Sequence, residues 1–514
     1  MPVPSPPPAP APADPAHPAD PAGPLRIVQV GSFGSIGDNV YRQHEPAAAL
    51  ARQPGVEVVE VHPLARHRDA AALAADVLVL TMTMDVEVLR LIHQRRLLGK
   101  ATICEVNDYL PDVQAWNPAH RSWSDERGLH LFRELVRRCA ATQVTSPGLA
   151  QRLAPLTPQL AVFPNQLAAL PPPRQPVAGA PTGESVVVGW GGSVGHLQDL
   201  ASVAPVLCQW LQATPGARME IMADPAMAAL FEAAPAERFR FHCAGSLEHY
   251  LRWLQGLDIG LAPLLPTDYN RCRSDVKYLE YAAHGVVPVL QRLDPYAGVA
   301  DGVEGFLFGD AQQLRAVLDR LVREPPLRQR VAAAAYAQVA RHRRLDDHAS
   351  ARVAFYRDVQ ARFPTAQRPV PELLRQAGAR RLESLPGLRR CGDHLHRLGL
   401  DSPADQQRAA GVDALQAGDL PRAEAAFRAA AQLDPGDPYA HTFLGLCHWR
   451  QGRARQAQAA FEQAAALDPL LSRPVRGLAR LHRQAAEHYA QLAAQLNPPA
   501  DADAGATTAA EAAP

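Results

Sequence analysis

The chain has 514 residues, with Lys plus Arg equal to Asp plus Glu at 52 each. Its length suggests roughly three domains with sizeable cores, and the balanced charge offers no basic excess for nucleic acid or an anionic membrane. The seven cysteines (104, 139, 208, 243, 272, 391, 447) are scattered, with no Cys-x-x-Cys pair or Cys/His cluster at zinc spacing, which argues for a reducing compartment and against a structural metal.

Residues 1–24 are rich in Pro and Ala and lack the basic start and apolar stretch of a signal peptide; they are expected to form a disordered, extended leader. Leu25–Val30 is a short apolar strand running into the glycine-rich turn Gly31-Ser-Phe-Gly-Ser-Ile-Gly37, with a helical stretch at Tyr41–Arg52. Strand, glycine-rich loop and helix make a Rossmann-type opening, in which glycine lets the backbone approach a ligand. Strand-like runs follow at Val56–Val61, Val77–Thr81, Ala101–Val106, Ala141–Thr145 and Leu160–Phe163, with helix-like segments such as Asp85–Arg96 and Ser146–Leu153 between them. The alternation implies an α/β domain with a parallel sheet, here 25–170.

Residues 166–184 turn Pro- and Gly-rich and read as a linker. The pattern then restarts: strand Ser185–Trp190, glycine-rich loop Gly191–Gly195, helix Leu197–Gln212, and further strands at Met219–Met222, Phe239–Cys243, Ile259–Pro263 and Val286–Leu290. This gives a second α/β domain, 185–363. Two Rossmann-like domains facing each other make an interdomain cleft, a favoured place for a substrate site.

Residues 364–403 read as a Pro- and Arg-rich connection. In 404–497, Gly411, Ala423, Phe427, Ala430 and Pro435 recur 34 residues later as Gly445, Ala457, Phe461, Ala464 and Pro469. The period and its small-residue positions resemble the tetratricopeptide repeat. Ala479 can begin a third, incomplete unit, with the helix around Leu478–Leu496 as a cap. The Ala- and Asp-rich tail 498–514 is expected to be disordered.

The segment with the most chemistry is Asn270–Gly285. Ser274 is a candidate N-cap, Asp275 suits a first turn and Gly285 a C-terminal stop, so a helix of about ten residues joins a loop to a strand. Arg273 and Lys277 flank the first turn, where exposed N–H groups favour an anion such as a nucleotide diphosphate. Glu280 lies one turn on and can accept hydrogen bonds from ribose hydroxyls. The spacing equally allows Lys277 and Glu280 to be a surface ion pair of little consequence. Only two lysines occur, Lys100 and Lys277, and one of them lies in this segment.

Tyr269-Asn-Arg-Cys-Arg-Ser-Asp-Val-Lys-Tyr-Leu-Glu-Tyr281, followed by Ala-Ala-His-Gly285 and Pro288, is similar to the donor-binding segment of the retaining, group 1 glycosyltransferases of GT-B fold, with Arg273 in place of a Lys. Ile259–Pro263, Asp301-Gly-Val-Glu-Gly-Phe-Leu307, Val144-Thr-Ser146, Phe163-Pro-Asn165 and Gly189–Asp199 extend the resemblance in the right order over about residues 25–360.

The resemblance implies two facing Rossmann-like domains followed by the all-α repeat module. It implies that Glu280 binds the donor ribose and that Arg273 and Lys277 hold the diphosphate, with Ser274, Tyr281, Asn270 and His196 also at the donor. Gly191, Gly192 and Ser193 would let the backbone approach the nucleotide. Gly31, Gly34, Gly37, His44 and Asn107 would belong to the acceptor-side loops, and Asp108 would contact the acceptor or act as base, although a turn-forming role suits it equally. His44 and His196 are equally open to a structural reading.

Many members carry a second Glu eight positions before the first, where this chain has Cys272. That leaves the sugar contact missing or supplied elsewhere. A nucleophilic role for Cys272 has no precedent in the family, although Arg271 and Arg273 beside it would lower a thiol pKa. No Asp-x-Asp motif occurs in the α/β region. The expectation is therefore a metal-independent transferase with no cofactor beyond its nucleotide-sugar substrate. It acts on a glycan, lipid-linked or protein acceptor that the repeats recruit, in the cytoplasm or at the inner membrane face. The competing expectation is a catalytically degenerate scaffold acting through its repeats. A nucleotide-sugar epimerase of the same fold is a third.

Overall fold

The computed structural model describes residues 23–31, 39–174, 185–363, 369–385, 390–391, 394–395 and 402–496. Gly34, Gly37 and most of the leader and tail lie outside these residues. No helix among the described residues is long and apolar enough to cross a membrane.

The first domain is built on β1 (Leu25–Val30), β2 (Val56–Val61), β3 (Val77–Thr81), β4 (Ala101–Val106), β5 (Ala141–Val144) and β6 (Leu160–Val162). They form one parallel sheet in the order β2-β1-β3-β4-β5-β6. The second domain uses β7 (Val186–Gly191), β8 (Ala217–Ala223), β9 (Phe239–Cys243), β10 (Ile259–Ala262), β11 (Val287–Gln291) and β12 (Phe306–Phe308) in the order β12-β11-β10-β7-β8-β9. The central strands are valine-rich and buried on both faces, as parallel sheets covered by helices require. In each sheet the order reverses next to the first strand, at β1/β3 and at β7/β10, which opens a crevice at the carboxyl ends of the strands.

The stretch expected as one helix at Tyr41–Arg52 is a π-helical turn, Val40–His44, running into an α-helix, Glu45–Ala51. The single helix expected over Leu197–Gln212 breaks into Leu197–Ala201 and Ala204–Ala213, with Pro205 in the first turn of the latter, where its missing N–H costs nothing.

The chain crosses between the domains twice. Leu167 N–H donates to the Arg343 carbonyl at 2.9 Å, and Leu345 N–H donates to the Leu167 carbonyl at 2.9 Å. Beyond the second crossing, the helix Ala349–Arg362 packs Val353, Tyr356 and Val359 into the first domain beneath Leu25 and Ile27. The last helix before residue 363 therefore belongs to the first domain's core, although in sequence it continues the second.

Part of the connecting region is helical. Helix Glu372–Ala379 buries Leu374 and Ala377 in the first domain's core. Lys100 holds it there, donating to the carbonyls of Gly378 (2.6 Å), Leu73 (2.8 Å) and Ala74 (3.0 Å). Burial, with the neighbouring Arg95 second, pushes the Lys100 ammonium down to about 7.

The C-terminal module stacks helices Pro403–Gln416, Leu420–Leu433, Pro438–Arg450, Ala454–Leu467 and Ser472–Leu496. The 34-residue period has a direct packing cause. A Cβ on Gly411 would come within 2.6 Å of the Phe427 ring, and one on Gly445 within 2.6 Å of the Phe461 ring. A Cβ on Gly477, in the long last helix, would come within 2.6 Å of the other edge of Phe461.

The module is fastened to the first domain. Arg90 donates to the Leu470 carbonyl at 2.7 Å, and the Ser472 hydroxyl donates to Glu87 at 2.7 Å. Arg66 pairs with Asp434, and Arg476 with Glu87. Gly445→Val is expected to lower stability by at least about 2 kcal/mol, because overpacking against Phe461 is not relieved by a rotamer change. Urea unfolding of the full chain checks this, and an unshifted transition would contradict the packing role.

Candidate functional site

Both crevices open into one interdomain cleft of about 220 Å³. The first domain contributes Tyr41 and Arg42 from the segment after β1, Asn107 and Asp108 after β4, Thr145 after β5 and Asn165 after β6. The second contributes His196 after β7, Leu264 after β10, Tyr296, and the run Arg273, Ser274, Val276, Lys277 and Glu280.

The site helix spans Val276–Ala283, eight residues against about ten expected. Gly285 ends it at φ +66, with the Val286 N–H returning to the Tyr281 carbonyl at 3.0 Å. Neither Ser274 nor Asp275 caps its start. Asp275 sits at the cap position but makes no side-chain cap bond. Its carboxylate instead accepts from both terminal nitrogens of Arg343, at 2.6 and 2.9 Å, and the Ser274 hydroxyl accepts from Asn165 Nδ2 at 3.2 Å. The first-turn amides are thus left without a side-chain cap beside Arg273 and Lys277, an arrangement that favours an anion.

Arg273 lies over the Tyr269 ring, 5.4 Å from its centroid, and its guanidinium donates no hydrogen bond among the described residues. Burial opposes its charge, but Tyr269, Asp108 and Asp199 outweigh that and hold it above the ordinary guanidinium value. Lys277 Nζ donates to the Tyr250 hydroxyl at 2.7 Å and to Glu280 Oε2 at 3.3 Å, and lies 4.5 Å from the Tyr250 ring centroid. Glu280 is only 4% exposed. Tyr41 donates to its Oε1 at 3.0 Å, and Tyr250 to its Oε2 at 2.8 Å. The Lys277–Glu280 pair is therefore part of a half-buried cluster at the cleft wall and not a surface ion pair.

His196 faces the cleft as a neutral ring. Burial first, and Arg273 second, push it down to about 4, against the pull of Asp199. Asp199 Oδ2 lies 2.9 Å from His196 Nδ1, while Oδ1 accepts from Leu265 N–H and Asn270 Nδ2, each at 2.8 Å. Asn270, expected at the donor, is fully buried and holds Asp199 from behind instead of lining the cleft. Tyr281 is also fully buried, donating to the Leu261 carbonyl at 2.8 Å. His44 pairs with Glu60, outside the cleft lining.

The glycines have local packing reasons. A Cβ on Gly191 would meet the Tyr250 ring at 2.7 Å, and one on Gly192 the Trp190 ring at 2.7 Å. Gly31 makes room for Gln43. Ser193 is exposed ahead of the turn Val194–His196, with no side-chain cap bond.

Cys272 points away from the cleft. It is 2% exposed, within the first domain's core cluster together with Tyr269, and its carbonyl accepts from the Ser146 hydroxyl at 2.6 Å. Gly148 permits this approach, since a Cβ there would lie 2.6 Å from the Arg271 carbonyl oxygen. Burial pushes the thiol up to about 11, so neutral solution leaves it protonated and a poor nucleophile. Cys272 therefore serves the domain interface.

Sequence reasoning missed Tyr41, Arg42, Tyr250 and Asp199. Tyr41 and Glu280 are 239 positions apart, and nothing local marks the pair. Asp199 ends a stretch already singled out by its glycines. Arg42 is 3% exposed, donating to Glu105 (2.9 Å), the Phe163 carbonyl (2.8 Å) and Asn165 (2.9 Å), so it braces the cleft floor.

Residues 414–481 match a family model described as tetratricopeptide repeat, which bears out the repeats expected from the 34-residue period. No curated protein sequence matches the chain. Among solved structures, it is similar to sucrose-phosphate synthase from Thermosynechococcus elongatus, with 14% identity over 66% of this chain and 99% of that one, at a TM-score of 0.49. It is also similar to HepE of Anabaena in complex with UDP-glucose, with 13% identity over 64% and 99% of the two chains and a TM-score of 0.49. A glycosyltransferase from Rickettsia africae shows 11% identity over 66% and 100%, at a TM-score of 0.46.

The low His196 value has a consequence for stability. The unfolded imidazole takes a proton near 6.5 and the folded one only near 4. Its contribution to stability is therefore full above about 6.5 and declines as the pH falls from there towards 4. His196→Gln is expected to reduce the slope of stability against pH in that window, measured as urea midpoints from pH 4 to 8. An unchanged slope would contradict a buried neutral ring.

Proposed function

We propose that the chain is a glycosyltransferase that moves a sugar from a nucleotide-diphosphate sugar to an acceptor hydroxyl, with retention and without a metal. The observation that carries this reading is the convergence of Arg273, Lys277 and Glu280 on one wall of the interdomain cleft, with Asp108 on the other. The resemblance in sequence gives these residues their roles, and the geometry makes those roles physically consistent.

Arg273 supplies a charge that no acceptor among the described residues takes up. Lys277 is held close by, and the uncapped amides of the helix Val276–Ala283 add a third positive element. Together they suit a diphosphate and the charge that develops on it as it leaves. Preorganised donors of this kind contribute strongly because they need no rearrangement during the reaction. This supply of positive charge is the role a divalent cation would otherwise fill.

Glu280 binds the ribose. Its flanking phenols remain protonated, since burial, with the Glu280 charge second, raises both Tyr41 and Tyr250 above the usual phenol value. Asp108 and Asn107 belong to the acceptor half, where Asp108 contacts the incoming hydroxyl. The backbone at Gly191–Gly192 follows β7 at the switch point of the donor sheet, where a nucleotide approaches most closely. The repeat module is fixed to the first domain, the acceptor side. It recruits the acceptor, whether glycan, lipid-linked or protein, or a partner that delivers it.

Lys277→Ala and Glu280→Ala are each expected to reduce donor turnover at least about a hundredfold while circular dichroism stays unchanged, a loss in the range of other preorganised donors. Turnover is read as nucleoside diphosphate released from a panel of UDP- and GDP-sugars. Full turnover in both variants would contradict the assignment.

A further inference from the structure

Glu280 is assigned to a ribose, yet neither of its oxygens presents an open face. Its side chain is 5% exposed, with a phenol hydroxyl within 3.0 Å of each oxygen. Tyr250 and Lys277 belong to the same domain as the carboxylate. The Tyr250 ring is wedged over Gly191, where a Cβ would come within 2.7 Å of it, and packs beside Trp253. Among the described residues, Tyr41 alone reaches Glu280 from the opposite domain, off the π-helical turn Val40–His44.

The cleft is also tight. Its volume of about 220 Å³ is below the roughly 300–1,000 Å³ of sites that take drug-sized ligands, and a nucleotide-sugar is at least drug-sized. Within it, the cross-domain donor Tyr41 is the partner of Glu280 that the donor domain's own packing does not hold.

We propose that Tyr41 sets the affinity of the donor site, because its hydroxyl holds the position on Glu280 Oε1 that a ribose hydroxyl must take, so that ribonucleotide binding breaks the Tyr41–Glu280 bond. The inference rests on the reading of Glu280 as the ribose ligand. An interaction present before binding and lost on binding weakens affinity by its own strength, and a hydrogen bond to a buried carboxylate is among the stronger ones. Tyr41 is thus a specificity-determining residue: a ligand whose ribose replaces the phenol on Glu280 recovers the lost bond, and one without hydroxyls does not.

The test is calorimetric titration of the full chain and of Tyr41→Phe with UDP and with GDP. The variant keeps the ring and loses only the hydroxyl. Tyr41→Leu provides a second variant if the first folds poorly. The expected result is binding at least fivefold tighter in the variant for whichever nucleotide binds, including the case where binding is measurable only in the variant. Loss of a merely structural hydrogen bond would leave affinity unchanged or reduce it, and either outcome overturns the proposal while leaving the donor site intact. If neither protein binds either nucleotide, the reading of Glu280 as a ribose ligand fails, and this inference fails with it.

Discussion

One guanidinium ties the architecture to the site. Arg343, at the second crossing between the domains, donates to the carbonyl of Asn165, at the first crossing, from Nε at 3.1 Å and from Nη2 at 2.6 Å. Its terminal nitrogens also clasp Asp275, the residue that opens the site helix. Burial opposes its charge, and Asp275 more than offsets this, leaving the guanidinium firmly charged. The two crossings and the start of the site helix are therefore fixed as a single unit. Asn165 extends that unit through its side chain, accepting from Arg42 and donating to Ser274. The distance between the two walls of the cleft depends on this junction.

Given that spacing, the chemistry of the cleft follows from which charged groups already have partners. Asp275 is taken by Arg343, Glu105 by Arg42, and Asp199 by His196, Asn270 and the Leu265 amide. Glu280 is shared by two phenols and Lys277. Arg273 has an aromatic face beneath it and no acceptor among the described residues. The surplus positive charge is concentrated beside the uncapped start of a helix, at the switch point of a parallel sheet. An anionic group held there lies across the cleft from Asp108, and the repeat module stands on the same domain as Asp108. The positive charge and Asp108 thus face each other across the cleft, with the repeat module fastened to the domain that carries Asp108.

Much of the fold was legible because parallel strands are short apolar runs and their edges are marked by glycine. Eleven of the strands were expected close to their observed limits, and the repeat was readable because Phe427 and Phe461 each need a glycine opposite them. What the sequence concealed was where contiguous segments dock. Val353, Tyr356 and Val359 belong to the first domain's core, and no local periodicity distinguishes that from packing on the second. Within the site, Arg273, Lys277, Glu280 and Asp108 came from motif and spacing, and all four line the cleft. Asn270 and Tyr281 share the motif but face inward, since a helix and its preceding loop must bury one side. Cys272 was read as a missing carboxylate, and in the structure it packs in the domain interface. Tyr41 was invisible, because its role exists only once the two domains meet.

The central claim is that the charge beside helix Val276–Ala283 is a diphosphate site. A crystal structure of the full chain with a bound UDP or GDP tests it most directly. The account predicts the diphosphate within hydrogen-bonding distance of both Arg273 and Lys277, with the ribose on Glu280. A nucleotide bound elsewhere, or one in the cleft whose phosphates contact neither residue, would contradict it.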